Sequence, residues 1–249
     1  RPGPDFPHHS AAEIYLASVT DLDQQIGRLI ETLDTLGVAD NTLIVFTSDN
    51  GPEDIHVVNA GHSGVGSTGP FRGRKRSLYE GGIRTPFIVR WPGRFPAGRI
   101  DDTSVISALD LRLTLSSLAG VVPAPGRVAD GEDVSDIFRG KVRARTRPLY
   151  WEWRFPIIGD AIHQSPRMAV RVGDWKLLLN PDRSRVELYA VRDDPTELNN
   201  LARERPEIVT RLTTFAMSQK AQLPFDQPDS KDGPPPVSSW SRLKAPAVP

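Results

Sequence analysis

The chain has 249 residues, 31 basic and 31 acidic side chains, 23 prolines and no cysteine. That length is enough to bury a substantial core in one large domain or two small ones. Neutrality argues against nucleic-acid binding through a general excess of positive charge. The absence of cysteine excludes a disulfide scaffold, a zinc–thiolate site and a cysteine nucleophile within these residues. No apolar run approaches the length of a membrane span. The first residues, Arg1-Pro2-Gly3-Pro4, are no signal peptide, so the sequence is expected to be a processed product or a partial chain.

Ser10-Ala11-Ala12-Glu13 reads as a capping box, with Ser10 at the N-cap. Behind it Tyr15, Val19, Leu22, Ile26, Leu29, Ile30, Leu33 and Leu36 recur at helical spacing, and Gly37 supplies a stop. This pattern predicts a long amphipathic helix. Thr42-Leu43-Ile44-Val45-Phe46-Thr47 is a continuous apolar and β-branched run, which predicts a strand buried on both faces, as in a parallel sheet covered by helices. Helix, tight link and buried strand are the grammar of an α/β fold. Ser48-Asp49-Asn50-Gly51 follows at the carboxyl end of that strand, where open α/β sheets bind ligands.

Residues 51–74, rich in Gly, Ser and Pro, are expected to form a long loop. Pro86-Phe87-Ile88-Val89-Arg90-Trp91 predicts a second buried strand, and a helix is expected near Val105–Leu118, ended by Gly120. Residues 121–147 read as a linker with Pro, Gly and many Arg. Four short strands follow, over Leu149–Trp153, Met168–Val172, Trp175–Leu179 and Glu187–Ala190, with Gly173-Asp174 as a hairpin turn. A helix over about Pro206–Ala221 is placed to pack on this antiparallel sheet. The aromatic residues Tyr150, Trp151, Trp153 and Trp175 read as its core. From Leu223 onward, seven prolines in 27 residues predict an extended tail. The expected organisation is an α/β part over residues 1–147, a small α+β subdomain over 148–222, and the tail over 223–249.

Two groups of residues could carry chemistry. Asp49 and Asn50 offer a carboxylate and an amide oxygen, donors suited to a hard cation such as calcium or magnesium. Asp-Asn-Gly is also a common turn, and on the tripeptide alone the turn is the better account. The second group is Phe71-Arg72-Gly73-Arg74-Lys75-Arg76 with Glu80-Gly81-Gly82-Ile83-Arg84, five cations within thirteen residues. Arginine forks and a mobile lysine could surround a tetrahedral anion, which makes Arg72 and Arg74 candidate substrate contacts. For any single arginine, a solvated basic loop is the better account. Gly81-Gly82 could equally be there only to permit close backbone packing. The histidines show no metal-ligand spacing. His62, in the Gly-rich loop between Asp49 and Lys75, is the best candidate for a substrate contact, and His163 comes next.

Taken together, these segments resemble the C-terminal half of a formylglycine-dependent sulfatase of the alkaline-phosphatase-like superfamily. The resemblance is carried by Asn41 to Gly51, by Gly69-Pro70-Phe71-Arg72-Gly73-Arg74-Lys75 continuing through Tyr79-Glu80-Gly81-Gly82-Ile83-Arg84-Thr85-Pro86, by Gly173-Asp174-Trp175-Lys176-Leu177, and by Asp194-Pro195-Thr196-Glu197-Leu198-Asn199-Asn200-Leu201. It implies part of an alkaline-phosphatase-like sheet sandwiched by helices, followed by the small antiparallel subdomain. It further implies that Asp49 and Asn50 supply two ligands of an active-site calcium, with magnesium the lesser alternative. Lys75 would contact the sulfate and its leaving oxygen. The implied substrate is a sulfated carbohydrate or aryl sulfate, and the implied setting is periplasmic or extracellular.

The sequence departs from the family in lacking the Cys/Ser-x-Pro-Ser-Arg motif that becomes formylglycine, and in lacking the N-terminal Asp-Asp metal pair. Formylglycine is therefore expected in a preceding half, and these residues alone are expected to be inactive. The alternatives are a phosphonate or phosphodiester hydrolase of the same superfamily, and a non-catalytic sulfoglycan-binding pseudoenzyme.

Overall fold

A computed structural model describes residues 9–53, 64–121, 129–155, 157 and 160–223. Helix α1 (Ala11–Thr35) starts at the expected capping box. The Ser10 side chain accepts the Glu13 N–H, and Glu13 accepts the Ser10 N–H at 2.7 Å. Gly37, at φ +66°, follows its end. The apolar stripe that defines this helix is not buried: α1 has no buried residue, and Leu22 and Leu29 are 51% and 53% exposed.

Strands β1 (Ile44–Thr47) and β2 (Phe87–Arg90) fall where the apolar runs place them, but they pair with each other antiparallel, Ile44 opposite Arg90 and Thr47 opposite Phe87. Neither strand has a buried residue. The expectation of a parallel, doubly covered strand at Thr42–Thr47 is thus corrected. An apolar run reports affinity for a sheet, whereas pairing direction is fixed by which strand lies alongside.

Helix α2 (Glu80–Ile83) is a single turn that the Gly-rich sequence did not announce. Helix α3 (Ala108–Leu118) opens on a second capping box, Ser107 with Asp110, and Gly120 closes it at φ +71°. The stretch read as a linker is structured over its described part. It contains α4 (Ser135–Phe138), whose Ile137 and Phe138 pack with Val134 against Phe87, Val89 and Leu111. Three of its arginines, Arg143, Arg145 and Arg147, are engaged, and Arg139 is exposed. Arg145 forks onto the buried Asp110, and Arg143 bonds Glu132 and Asp136.

The second sheet runs in the order β3 (Leu149–Glu152), β4 (Met168–Val172), β5 (Trp175–Leu179), β6 (Glu187–Ala190), all antiparallel. The β4–β5 hairpin turns at Gly173, φ +58°, as the sequence predicts. Alternation along the strands sorts side chains to two faces. Met168, Val170, Leu177, Leu179 and Leu188 meet Leu212 and Ala216 of α5 (Pro206–Gln222). Ala169, Leu178 and Tyr189 face the other way, against Leu78 and Tyr79. Tyr150 and Trp175 pack on the first cluster and Trp151 and Trp153 on the second, the core role expected of them. The Pro-rich stretch expected as a tail lies, beyond Leu223, outside the described residues.

Candidate functional site

The carboxyl end of β1 runs directly into Ser48-Asp49-Asn50-Gly51. The turn folds on itself: the Asn50 N–H donates to Asp49 Oδ1 at 3.0 Å, and Asn50 Nδ2 donates to the Gly51 carbonyl at 2.9 Å. The turn reading of this tripeptide is thus the one seen, and it leaves Asp49 Oδ2 and Asn50 Oδ1 without a hydrogen bond among the described residues.

Four glycines bring this turn against the cationic loop. Gly51 is buried, its N–H donates to the Gly82 carbonyl at 2.9 Å, and a Cβ added to it would lie 1.9 Å from the Gly81 oxygen. A Cβ on Gly81 would meet the Gly73 oxygen at 2.3 Å, and one on Gly82 the Ser77 oxygen at 2.1 Å. Gly73 itself has φ +87°, a backbone that side chains disfavour. Three backbone segments are thus stacked with no room for side chains between them. A second link joins the Lys75 N–H to the Pro52 carbonyl at 2.9 Å.

Lys75 is half-buried, and among the described residues no hydrogen bond or ion pair engages its ammonium. Its neighbours differ. Arg72 lies 3.9 Å over the Tyr79 ring and donates to the carbonyls of Ile162 and Glu197 at 3.1 Å each. Arg74 donates to the carbonyls of Glu53, Gly64 and Gly66, tying down the loop ahead of it. Arg76, at φ +74°, pairs with Glu53. His62 lies outside the described residues. His163 sits one residue past the Ile162 carbonyl that Arg72 grips, its Nδ1 buried without a hydrogen bond. The backbone segments that bear Asp49–Asn50 and Lys75 are therefore joined by two hydrogen bonds, while Arg72 and Arg74 donate to backbone carbonyls.

Sequence reasoning missed the charges that support this loop. Glu80 opens α2 and is buried with Lys176 of β5, whose Nζ donates to Glu80 Oε1 at 2.9 Å. Burial pushes the Glu80 carboxyl up, but the charges of Lys176, Arg171 and Arg84 outweigh it and hold the group below its ordinary value. Glu197 Oε1 lies 2.9 Å from the same ammonium, an ion pair off the line of a hydrogen bond, and burial holds Glu197 above its ordinary value. The available signal was a lysine inside the apolar run Trp175-Lys176-Leu177-Leu178-Leu179.

The donors fit part of a hard-cation site. Asp49 and Asn50 supply oxygen ligands of the kind calcium prefers, but calcium takes six to eight. Among the described residues no group of three or more His, Cys, Asp or Glu could complete one. No described helix is long and apolar enough to cross a membrane.

A family model described as Sulfatase matches residues 4–121, and one described as N-sulphoglucosamine sulphohydrolase, C-terminal, matches residues 68–222, well over half of the chain. The chain belongs to the sulfatase family. N-acetylgalactosamine-6-sulfatase of Canis lupus familiaris is 38% identical to this sulfatase chain over 162 residues, 65% of this chain and 28% of that protein. N-acetylgalactosamine-6-O-sulfatase of Bacteroides thetaiotaomicron is 29% identical over 243 residues, covering 89% of this chain and 44% of its own. A solved structure holding its substrate, D-glucosamine-2-N,6-O-disulfate, superposes with a TM-score of 0.61 at 27% identity, over 88% of this chain and 42% of the other. The fold is that of the alkaline-phosphatase-like sulfatases. The chain spans less than half the length of these relatives.

Proposed function

We propose that the protein carrying this chain hydrolyses sulfate esters, and that Asp49, Asn50 and Lys75 are this chain's contribution to the active site. One observation carries the reading. The Gly51–Gly82 and Lys75–Pro52 backbone bonds seat an acid–amide pair with uncommitted oxygens beside a loop bearing an uncommitted ammonium. A sulfate ester already carries negative charge, and its cleavage builds more on the leaving oxygen. An ammonium held there without a competing partner favours the transition state over the ground state. Asp49 and Asn50 would hold a divalent cation, calcium by donor type, which when bound supplies further charge stabilisation.

Arg72 and Arg74, expected as substrate contacts, are better suited to shaping the loop, because each already donates to two or more backbone carbonyls. His62 stays a proposed substrate contact on its place in the sequence alone. Two of the relatives are named for N-acetylgalactosamine 6-sulfate, and one neighbour holds a disulfated glucosamine. A sulfated carbohydrate is accordingly the proposed substrate class, ahead of an aryl sulfate, and family habit supports an exported setting. These 249 residues contain no Cys/Ser-x-Pro-Ser-Arg motif, so alone they are proposed to turn over nothing.

The test is hydrolysis of sulfate and phosphate esters by the active protein and by its Lys75→Ala variant. Sulfate esters should be preferred, and the variant should lose about 10²–10³ in kcat, as when one transition-state donor is removed. Full activity in the variant would remove Lys75 from the site. Faster phosphate-ester turnover would favour the phosphonate or phosphodiester hydrolase, and tight sulfoglycan binding without turnover would favour the pseudoenzyme.

A further inference from the structure

The loop that presents Lys75 is held from behind by a buried charge cluster to which the proposed chemistry assigns no role. The side chains of Lys176 and Glu197 are completely buried, at 0% exposure. Glu197 Oε2 accepts the backbone N–H of Glu80 at 2.6 Å, while its own carbonyl accepts Arg72 Nη1 at 3.1 Å. Lys176 bridges the Glu80 and Glu197 carboxylates at 2.9 Å each. Glu197 also sits at φ +56°, in the left-handed region that a long side chain rarely occupies.

A strained backbone and a buried ionic group both cost stability, and apolar residues would join two layers at least as well. The cluster is placed where its geometry is transmitted. Glu80 begins the single turn of α2. Within that turn the Gly81 N–H donates to the Arg72 carbonyl at 2.7 Å, and the Gly82 carbonyl receives the Gly51 N–H at 2.9 Å. Glu197 therefore grips both ends of the Gly-rich loop, Arg72 through its carbonyl and Glu80 through its carboxylate. Each grip lies one backbone bond from the stacked segments carrying Asp49, Asn50 and Lys75.

We propose that Glu197, with Lys176 as its counter-charge, is a positioning residue through which the C-terminal sheet sets the placement of the Lys75 loop against the Asp49–Asn50 turn. The catalytic consequence rests on the sulfatase reading; the mechanical one does not. Burial holding Glu197 above its ordinary value agrees with a carboxylate kept for its geometry rather than its stability.

Hydrogen exchange on the chain as it stands, and on Glu197→Gln, tests the mechanical part. The amides of Gly51, Lys75 and Gly81 should exchange about tenfold faster or more in the variant, while those of β4 and β5 keep their protection. Glu197→Asn, which suits a left-handed backbone, reads the same amides should the glutamine variant fail to fold. Unchanged exchange at the three amides overturns the proposal. So does a uniform rise that includes β4 and β5, which would make Glu197 ordinary fold support.

In the active protein, kcat for sulfate-ester hydrolysis should fall about tenfold or more with KM within about twofold, the signature of a misplaced transition-state group. Selective loosening with kcat intact also overturns it. An unmodified protein silent on sulfate esters, with the exchange pattern as expected, would instead sink the functional reading and leave the mechanical link standing.

Discussion

Along β4 and β5 the residues Met168–Val170 and Lys176–Leu179 are all buried, whereas β1 and β2 have no buried residue between them. The second sheet is closed on both faces, by α5 on one and by Leu78 and Tyr79 on the other. The first sheet is covered in part, where Phe87 and Val89 meet the α3–α4 cluster, and Phe46 and Ile88 remain exposed. The candidate site lies on the seam. Its cationic loop leans on the finished sheet through Tyr79 and Glu80, and its Asp49–Asn50 arm leaves the open one. Lys75 is thus held from two sides, by the Pro52 carbonyl just past β1 and, through Glu80, by Lys176 and Glu197 more than ninety positions downstream.

The comparison makes its largest demand on the closed core. Leu177 is fully buried between β4, β6 and α5. Leu177→Ala should cost about 2–5 kcal/mol, the transfer term plus an unfilled cavity. Urea unfolding of the chain measures it. A loss below about 1 kcal/mol would mean that this core collapses freely around the gap, and the sheet could not then serve as the rigid backing claimed for it.

How much of this was legible in the sequence follows the range of each interaction. The Ser10–Glu13 capping box, the hairpin at Gly173 and the strands β4 to β6 are set by neighbours in sequence, and each was read correctly, whereas the equally local Ser107–Asp110 box was overlooked. The direction of β1 was not, because Ile44 pairs with Arg90, and an apolar run has no mark of its partner. The cationic loop was visible as a cluster of charge. What could not be read was that Arg72 and Arg74 would turn to carbonyls while Lys75 would not. For Arg72 that outcome depends on Glu197 and Ile162, brought in from 125 and 90 residues away, whereas Arg74 finds its carbonyls in the nearer loop at Glu53, Gly64 and Gly66. Lys176 was hidden for the same reason, since its partner Glu80 is 96 residues distant. The glycines were the exception. Gly81-Gly82 was suspected of allowing close backbone approach, and the oxygens of Gly73 and Ser77 occupy the space a side chain would need.

Acid should separate the two regions in a second way. Glu132, beside α4, is subject to burial, which pushes its carboxyl up. Hydrogen bonds from Arg143 and from the N–H groups of Arg147 and Thr146 overcome this and bring it to about 2. A carboxyl lowered on folding contributes stability that is complete above its ordinary value near 4.5 and is lost as pH falls toward about 2. Asp101, also held at about 2, acts in the same direction. In the Lys176 cluster the signs oppose each other, because the raised Glu197 favours the folded state as protons are added and offsets the lowered Glu80 beside it. Exchange protection at Thr146 and Arg147 should therefore fall between pH 4.5 and pH 3, ahead of β4 and β5. Simultaneous loss in both regions would show that the chain unfolds as one unit and that the seam is not a boundary of stability.

The smallest effect is expected on α1, and it bears directly on the open side. Leu22 carries the helical apolar period but is 51% exposed. Truncation to alanine withdraws little surface from a packed environment and slightly raises helix propensity. Leu22→Ala should thus change the unfolding free energy of these 249 residues by less than about 0.5 kcal/mol, the range of an ordinary surface substitution. The same substitution costs more wherever something covers the stripe, because the side chain then loses real contacts. A loss near 2 kcal/mol, approaching that of Leu177→Ala, would show α1 packed in solution, and the contrast between a closed and an open sheet would fail.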